Sequence, residues 1–342
     1  MNRKQFVVLV VLLMICAAVA WHFYQRGNSS WQSAGQSIGG KLLPNLPIND
    51  VAQIDIQSGT NQLTLARKND IWTVHERDDY PANFSQISDL LMKLADLKIV
   101  QQEETGPTEL PRFNLSPPGM DSSSGTLLEL KDQNSKTVAS LLLGKDHMNQ
   151  PANGQGYPDG RYVIANNNNG DVVVISEPFD NVTSKPADWL DKTFFKISNP
   201  KSIAVTFPVA TNSWRLTRVS QTNDWQLADT RPGEKLDSSK IDDITGAFDS
   251  LTFNDVAPGA TVPKDAQTLT VDTFDGTNYA AQIWSSGDDN DSMTIAIEST
   301  KGKSAIDNQY SHWTYQIPSY SVESLLKPRT NLLQSATPPK GS

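Results

Sequence analysis

Cysteine is almost absent from this chain of 342 residues, in which Cys16 is the only one. Because Cys16 lies within an apolar N-terminal run, the rest of the sequence can form neither a disulfide nor a thiolate metal site. Basic residues are also few, with 29 Lys and Arg against 38 Asp and Glu. An acidic body lacks the basic surface that binding to phosphate backbones requires. We therefore expect no nucleic acid partner.

Catalytic motifs are missing in any context that would support them. The stretch GQSIGGKL, residues 35–42, matches G-x-S-x-G and all but the last position of the phosphate-loop pattern. Both motifs need a strand before them and a helix after them, whereas this stretch is preceded by a Gly/Ser-rich segment and followed by Pro44 and Pro47. The histidines also lack the spacing of metal ligands; they are His22, His75, His147 and His312.

Two acidic clusters could suggest chemistry, but each has a simpler interpretation. The segment SGDDNDS, residues 286–292, lacks the glycine and glutamate of an EF-hand and is typical of a solvated hairpin turn. Glu76, Asp78 and Asp79 could pair for acid–base work, but such a cluster at a strand end is usually solvated. We therefore predict no catalytic residue, no cofactor and no metal ligand, and the residues of any binding site stay unknown.

The N-terminal segment carries the clearest signal for localisation. Arg3 and Lys4 precede an uncharged run from Phe6 to Phe23, which would span about 27 Å as a helix. Basic residues remain on the cytoplasmic side of a membrane, so this pattern predicts a membrane anchor and an exported body. The alternatives are a signal peptide cleaved after Ala18-Val19-Ala20 and, less well matched, a lipoprotein.

A sequence pattern occurs twice after the anchor. In its first occurrence, residues 51–74 alternate apolar and polar residues between the turn residues Gly59 and Asn69-Asp70, which predicts antiparallel strands with one buried face. A helix should follow, capped by Asn83 with Gln86 at capping-box distance. Its apolar stripe comprises Ile87, Leu90, Leu91, Leu94 and Leu97.

The second occurrence repeats that order about 150 residues later. KSIAVTF, SWRLTR and NDWQLAD predict three strands, and Asp237 caps a helix with the stripe Ile241, Ile244, Phe248 and Leu251. Arg67 aligns with Arg218, and Trp72 with Trp225. The shared order indicates a duplicated module. We expect each of these two Trp residues to cover the interface between sheet and helix, with sugar stacking as the alternative.

More strand pattern follows each helix. The clearest case is RYVIANNNNGDVVVIS, residues 161–176, which predicts a hairpin because Asn and Gly favour the turn between two runs of β-formers. A short closing helix is predicted in each copy, within PADWLDKTFF and SVESLLKP.

These features together resemble a known family. A Trp-containing strand after a strand that ends in a basic residue, a polar link into an amphipathic helix, and the phrase LPRFNLSPPG at residues 110–119 are similar to an uncharacterised family of bacterial membrane-anchored proteins. That family is catalogued as a domain of unknown function and often accompanies gliding-motility-type ABC transporters. The resemblance covers roughly residues 51–333, and its motifs are structural, so it implies no catalytic residue.

The sequence thus predicts an α+β protein with one N-terminal transmembrane helix and two duplicated modules of antiparallel strands with packed amphipathic helices. The predicted organisation is a cytoplasmic N-terminus (1–5), a transmembrane signal anchor (6–24), a flexible tether (25–47), copy 1 (48–197), copy 2 (198–333) and a disordered tail (334–342).

The resemblance implies a non-enzymatic accessory or scaffold subunit of an ABC-type transport or cell-envelope complex. We expect it to cross the bacterial inner membrane once and to have its body in the periplasm. Its predicted partners are the inner membrane, through the N-terminal helix, and an ABC-type permease and ATPase, as the resemblance implies. One alternative is a periplasmic glycan- or peptide-binding module that uses Trp189, Trp214, Trp284 and Trp313 if they are exposed. The other is a cell-envelope hydrolase with dispersed acidic residues, which would need a cleft lined by carboxylates.

Overall fold

The computed structural model describes residues 38–119, 121–149, 156–165, 171–194, 196–249, 251–287, 289–299, 302–303 and 310–334. The chain folds into two compact units. The first contains the chain up to Arg67 together with Ser85–Lys185, and the second contains Lys68–Phe84 together with the chain from Pro186 onward.

Strands dominate both units. In chain order they are β1 (Val51–Ser58), β2 (Asn61–Lys68), β3 (Ile71–Val74), β4 (Tyr80–Pro81), β5 (Ile99–Glu103), β6 (Thr126–Asp132), β7 (Thr137–Asn149), β8 (Tyr157–Ala165), β9 (Val172–Ile175), β10 (Pro200–Thr206), β11 (Trp214–Thr217), β12 (Gln226–Leu227), β13 (Asp255–Pro258), β14 (Gln267–Thr273), β15 (Thr277–Ser285), β16 (Asn290–Ser299), β17 (Gly302–Lys303) and β18 (Trp313–Pro318). The helices are α1 (Phe84–Asp96), α2 (Ser238–Ala247) and α3 (Ser319–Val322), with short 3-10 turns between elements.

The first unit is built on an antiparallel sheet whose strands lie in the order β2-β1-β6-β7-β8-β9-β5. Ile54 of β1 pairs with Leu65 of β2 on one side and with Leu130 of β6 on the other. All three side chains are fully buried. Because side chains alternate along a strand, this register places the apolar positions of neighbouring strands together on the core face.

Helix α1 buries the predicted stripe. Ile87, Leu90, Leu91 and Leu94 are its buried residues, and Leu97 is buried just after its end. The chain before β1 packs beside that end: the backbone N–H of Leu42 donates to the carbonyl of Leu97 at 2.8 Å, and the Leu42 side chain is fully buried. Part of the segment predicted as a tether therefore lies against the first unit.

The second unit contains an antiparallel sheet in the order β12-β11-β10-β14-β15-β16-β18-β13, with β17 paired to β16. Its outermost strands are short, two residues in β12 and four in β13. The hairpin of β3 and β4 also belongs to this unit, and Val74 pairs with Tyr80 across it.

Charged and aromatic contacts hold that hairpin in place. Arg77 donates from Nε and Nη2 to the two carboxylate oxygens of Asp255, both at 2.7 Å. His312 Nε2 lies 2.8 Å from Asp78 Oδ2. The Tyr80 ring meets the Trp313 ring edge-on with centroids 4.9 Å apart. A bidentate ion pair and an edge-to-face ring contact both fix orientation as well as distance, so the hairpin is held rigidly.

The predicted α+β class is wrong. The described chain is mostly antiparallel sheet, and among the α-helices of the described residues only α1 and α2 exceed a single turn. The first unit contains α1 from Ser85 onward and the second contains α2, whereas each unit contains at least seven strands. The longest, β7, has 13 residues, as many as α1. The two amphipathic helices thus make up a small part of a structure that consists mainly of large antiparallel sheets.

The N-terminal predictions fall outside the described residues, including the anchor at 6–24 with Cys16 and His22. Among the helices that the structure describes, none is long and apolar enough to cross a membrane. The segment 335–342, which makes up nearly all of the predicted tail, also lies outside the described chain.

Candidate functional site

A groove of about 780 Å³ runs along one side of α2 in the second unit. We call it the α2 groove. Its walls are the chain before β10, the loop between β11 and β12, and α2 itself; the lining residues are Ile197, Ser198, Asn199, Pro200, Arg218, Asn223, Asp224, Trp225, Leu236, Ser238, Ile241, Asp242, Thr245, Gly246 and Asp249. This volume lies within the range of about 300–1,000 Å³ that is usual for ligand sites.

Arg218 organises the loop wall. Its Nε donates to the carbonyl of Pro200 at 2.8 Å and its Nη1 to the carbonyl of Gln221 at 2.9 Å. The guanidinium carbon lies 4.7 Å from the centre of the Trp225 ring and 5.7 Å from that of Phe274. Burial lowers the pKa of Arg218, but a guanidinium stays charged at neutral pH. Arg218 is therefore a fixed cation that braces the loop.

The loop itself explains why Trp225 is accessible. Strand β11 ends at Thr217, and polar residues turn the chain before β12 begins at Gln226. Ser220 Oγ lies 2.6 Å from Asn223 Oδ1, and the Asn223 N–H donates to the Ser220 carbonyl at 3.2 Å. Such local bonds favour a turn over a strand. Trp225 is consequently half-buried, with part of its indole facing the groove.

Helix α2 supplies the opposite wall. The carboxylate of Asp237 caps it and accepts from the Ser239 N–H at 3.1 Å, as predicted for this position. Ser238, Asp242 and Thr245 recur at helical spacing and line the groove, followed by Asp249 two residues after the helix ends, while Ile244 is buried on another face. One face of α2 therefore presents hydroxyl and carboxylate oxygens to the groove.

The electrostatics of the groove are acidic. Asp224, Asp242 and Asp249 are exposed, and within the part of the chain that the structure describes none of these three carboxylates has an ion-pair partner. The cation Arg218 is already bonded to backbone carbonyls. No set of three or more His, Cys, Asp or Glu side chains suited to a metal ion occurs among the described residues.

The four Trp residues of the predicted glycan-binding alternative differ in their exposure to solvent. Trp189 and Trp214 are buried, at 0% and 3% exposure, and cannot act as platforms. Trp284 and Trp313 are half-buried, and Trp313 Nε1 donates to the Arg77 carbonyl at 3.2 Å. The sequence favours a position for Trp225 at the interface between sheet and helix, with sugar stacking as the alternative, and does not reveal the groove beside it. The polar run from Ser220 to Asp224, which delays the next strand, is the signal that could have revealed it.

The acidic residues near β3 serve local contacts. Asp79 accepts a hydrogen bond from Lys68 at 2.6 Å, and that bond lowers the pKa of Asp79. Asp78 faces His312, and Glu76 contributes its carbonyl, which accepts from Arg77 Nη1 at 3.0 Å. The structure thus uses this cluster to secure the hairpin.

Within the described chain, the structure does not bring His75, His147, the acidic segment 286–292 and the described end of GQSIGGKL together in one site. His75 lies 3.6 Å from Asp79, and His147 lies 2.6 Å from Asp159. In the acidic loop, Asp288 lies outside the described residues. Asp291 is in β16, where burial raises its pKa. The described end of GQSIGGKL forms turns and an isolated bridge from Lys41 to Lys98, without a helix.

Comparison with known proteins gives one match. A family model described as "Domain of unknown function (DUF4340)" matches residues 72–272, a span that contains Trp72, the Arg218–Trp225 loop and α2. No curated protein and no solved structure matches the sequence.

Proposed function

The chain belongs to the family described as a domain of unknown function (DUF4340), and on that premise we propose a non-enzymatic accessory or scaffold subunit of an ABC-type transport or cell-envelope complex. In this proposal the protein is anchored in the bacterial inner membrane by residues 6–24, with its body in the periplasm. The basic residues before that apolar run support this orientation. The sequence resemblance to proteins that accompany gliding-motility-type transporters supports the choice of an ABC permease and ATPase as partners.

The α2 groove is the observation that carries a binding role over a catalytic one. Its lining residues include serines but neither histidine nor cysteine, so a Ser–His or Cys–His pair is not available there. Arg218, which could stabilise a developing negative charge, is bonded to carbonyls and stacked on Trp225. A braced wall opposite a polar helix face suits the docking of a partner or ligand.

Cross-linking in the native membrane tests the accessory role. The full-length protein is cross-linked, purified in detergent and analysed by mass spectrometry, with a strain lacking the affinity tag as control. We expect an ABC permease and its ATPase to co-purify reproducibly. Recovery of cell-wall material alone, or of no reproducible partner, would contradict the accessory role.

A periplasmic glycan- or peptide-binding module is the second candidate, because the groove combines a half-buried Trp with several side-chain oxygens and amides. A hydrolase would use the same carboxylates as acid and base. Incubation of the protein with glycan and analysis of the products separates the two, since a binding module returns its ligand intact.

A further inference from the structure

We infer that the α2 groove binds a neutral glycan, a short oligosaccharide without formal charge, and that Trp225 and Asp242 contact it. This inference rests on the second candidate function above and names the ligand class for it. It is independent of whether a transporter is the protein's partner.

Side-chain chemistry on both walls matches sugar hydroxyls. A hydroxyl group both donates and accepts hydrogen bonds, so it is best met by carboxylates, which accept, and amides, which do both. Asp242 and Asp249 lie on the helix wall, and Asn223 and Asp224 lie on the loop wall. These four side chains are exposed at the groove, and among the described residues only Asn223 has a side-chain partner, Ser220. A ligand with several hydroxyl groups could engage both walls at once.

The apolar part of the groove suits the C–H face of a sugar ring. Trp225 is flanked there by Ile241, which is buried, and Leu236, which is half-buried. An indole combines a flat apolar surface with a polar edge, and this is the kind of surface that packs against a sugar's C–H groups. Arg218 and its two carbonyl partners hold the ring in place, which lowers the entropy cost of binding.

Charge argues against the two charged ligand classes. An anionic glycan or phosphate would meet Asp224, Asp242 and Asp249, with Arg218 as the opposing cation. A basic peptide would find carboxylates, but a Lys or Arg side chain would have to compete with Arg218 for the ring of Trp225. A neutral ligand avoids the repulsion and leaves the Arg218–Trp225 stack intact.

Calorimetric titration of the full-length protein in detergent tests the inference. The probes are neutral tetrasaccharides of N-acetylglucosamine and of glucose, a galacturonate tetrasaccharide, and tetralysine. We expect binding of at least one neutral tetrasaccharide, with affinity that barely changes with salt concentration because no ligand charge is involved. Trp225→Ala should weaken it by about tenfold or more, as loss of a central aromatic contact does.

A matched pair of variants on α2 isolates the groove. Asp242→Ala should weaken binding by about threefold to tenfold through loss of a hydrogen bond to the ligand. Asp243→Ala is the control, because Asp243 is the exposed neighbour on the same helix that does not line the groove. If Trp225→Ala fails to fold, the Asp242 and Asp243 variants still decide the question.

Four outcomes overturn the inference, and three of them come from the comparison of probes. They are preferential binding of tetralysine that weakens with salt, preferential binding of galacturonate, and no binding of any probe. Equal effects of Asp242→Ala and Asp243→Ala on neutral glycan binding would also overturn it, by placing the ligand elsewhere. None of these results bears on the co-purification experiment, so a failed ligand and a failed accessory role remain distinguishable.

Discussion

Two similar Trp-containing sequences, NDIWTV at residues 69–74 (the first phrase) and NDWQLA at residues 223–228 (the second phrase), adopt different structures. In the first, Asn69 and Asp70 both adopt positive φ, 49° and 64°, and form a tight turn that places Trp72 in β3 at 5% exposure. In the second, a longer polar loop separates the strands, β12 has two residues, and Trp225 stays half-buried beside Arg218. The Trp phrase alone therefore does not fix burial: the ring that lies within a strand is in the core, whereas the ring that precedes a strand lines a groove.

The largest expected effect is on the free energy of unfolding when either Trp residue is replaced, because only one of the two is in the core. Trp72→Ala should lower the free energy of unfolding by about 3–5 kcal/mol, because it removes a buried aromatic side chain. Trp225→Ala should cost about 1 kcal/mol, since its ring is only half-buried. Chemical denaturation followed by far-ultraviolet circular dichroism measures both. Ile71→Ala, at a site 57% exposed, is the control for the first variant, and equal losses at both Trp positions would remove the distinction.

Loss of the ion pair between Arg77 and Asp255, which follows the first phrase in the sequence, should have the next largest effect on the free energy of unfolding. Arg77→Ala or Asp255→Ala should each destabilise by about 2 kcal/mol, because a bidentate, half-buried pair is broken and its remaining partner loses its bonds. A double-mutant cycle measures the coupling free energy between them. The exposed pair of Lys41 and Asp96 is the control and should show a much weaker coupling, because water screens its charges. Equal coupling in both cycles would show that burial does not matter here.

Arg218, the cation stacked on Trp225 in the second phrase, should contribute less to the free energy of unfolding and more to the ordering of the loop between β11 and β12. Arg218→Lys should cost about 1 kcal/mol, because a lysine cannot bond two carbonyls in a plane and stack on Trp225 at once. Hydrogen exchange at the Asn223 N–H, which donates to Ser220, should become faster. Arg215→Lys is the control, since Arg215 is exposed on β11. Unchanged exchange in Arg218→Lys would show that the loop orders itself.

The smallest effect is confined to acid pH. Glu234 lies between the second phrase and α2, and hydrogen bonds from Arg329 hold its pKa at about 2, below its ordinary value of 4.5. Because the folded state favours the ionised form, this stabilisation is complete above pH 4.5 and is lost as the pH falls toward 2. Unfolding measured across that range should show a flatter pH dependence for Glu234→Gln than for the wild type. An identical slope in both proteins would contradict this assignment.

Local periodicity predicts the elements well. The stripe from Ile87 to Leu97 is buried on or just after α1, and Asp237 caps α2, because each of these features depends on residues a few positions apart. The predicted hairpin at residues 161–176 also forms, since β8 and β9 are paired antiparallel. Such signals are local and can be read from one sequence.

Long-range features are harder to predict. The share of residues in strands depends on how far strands such as β7 extend. The groove depends on contacts of Arg218 with Pro200 and Trp225, which are distant from each other in the sequence or on different elements. No spacing rule links those three residues. The alignment of Trp225 with Trp72 also predicts equal burial, although insertions in loops change exposure without changing the aligned residue.

The edge strands of the sheet in the second unit, β12 and β13, are poorly suited to pairing with another molecule. An open sheet edge exposes unpaired N–H and C=O groups that can recruit a strand from another chain. Here one edge strand has two residues, and the other is four residues long and ends at Pro258, which has no N–H to donate. We therefore expect the second unit to resist edge-to-edge aggregation even when many copies are crowded together.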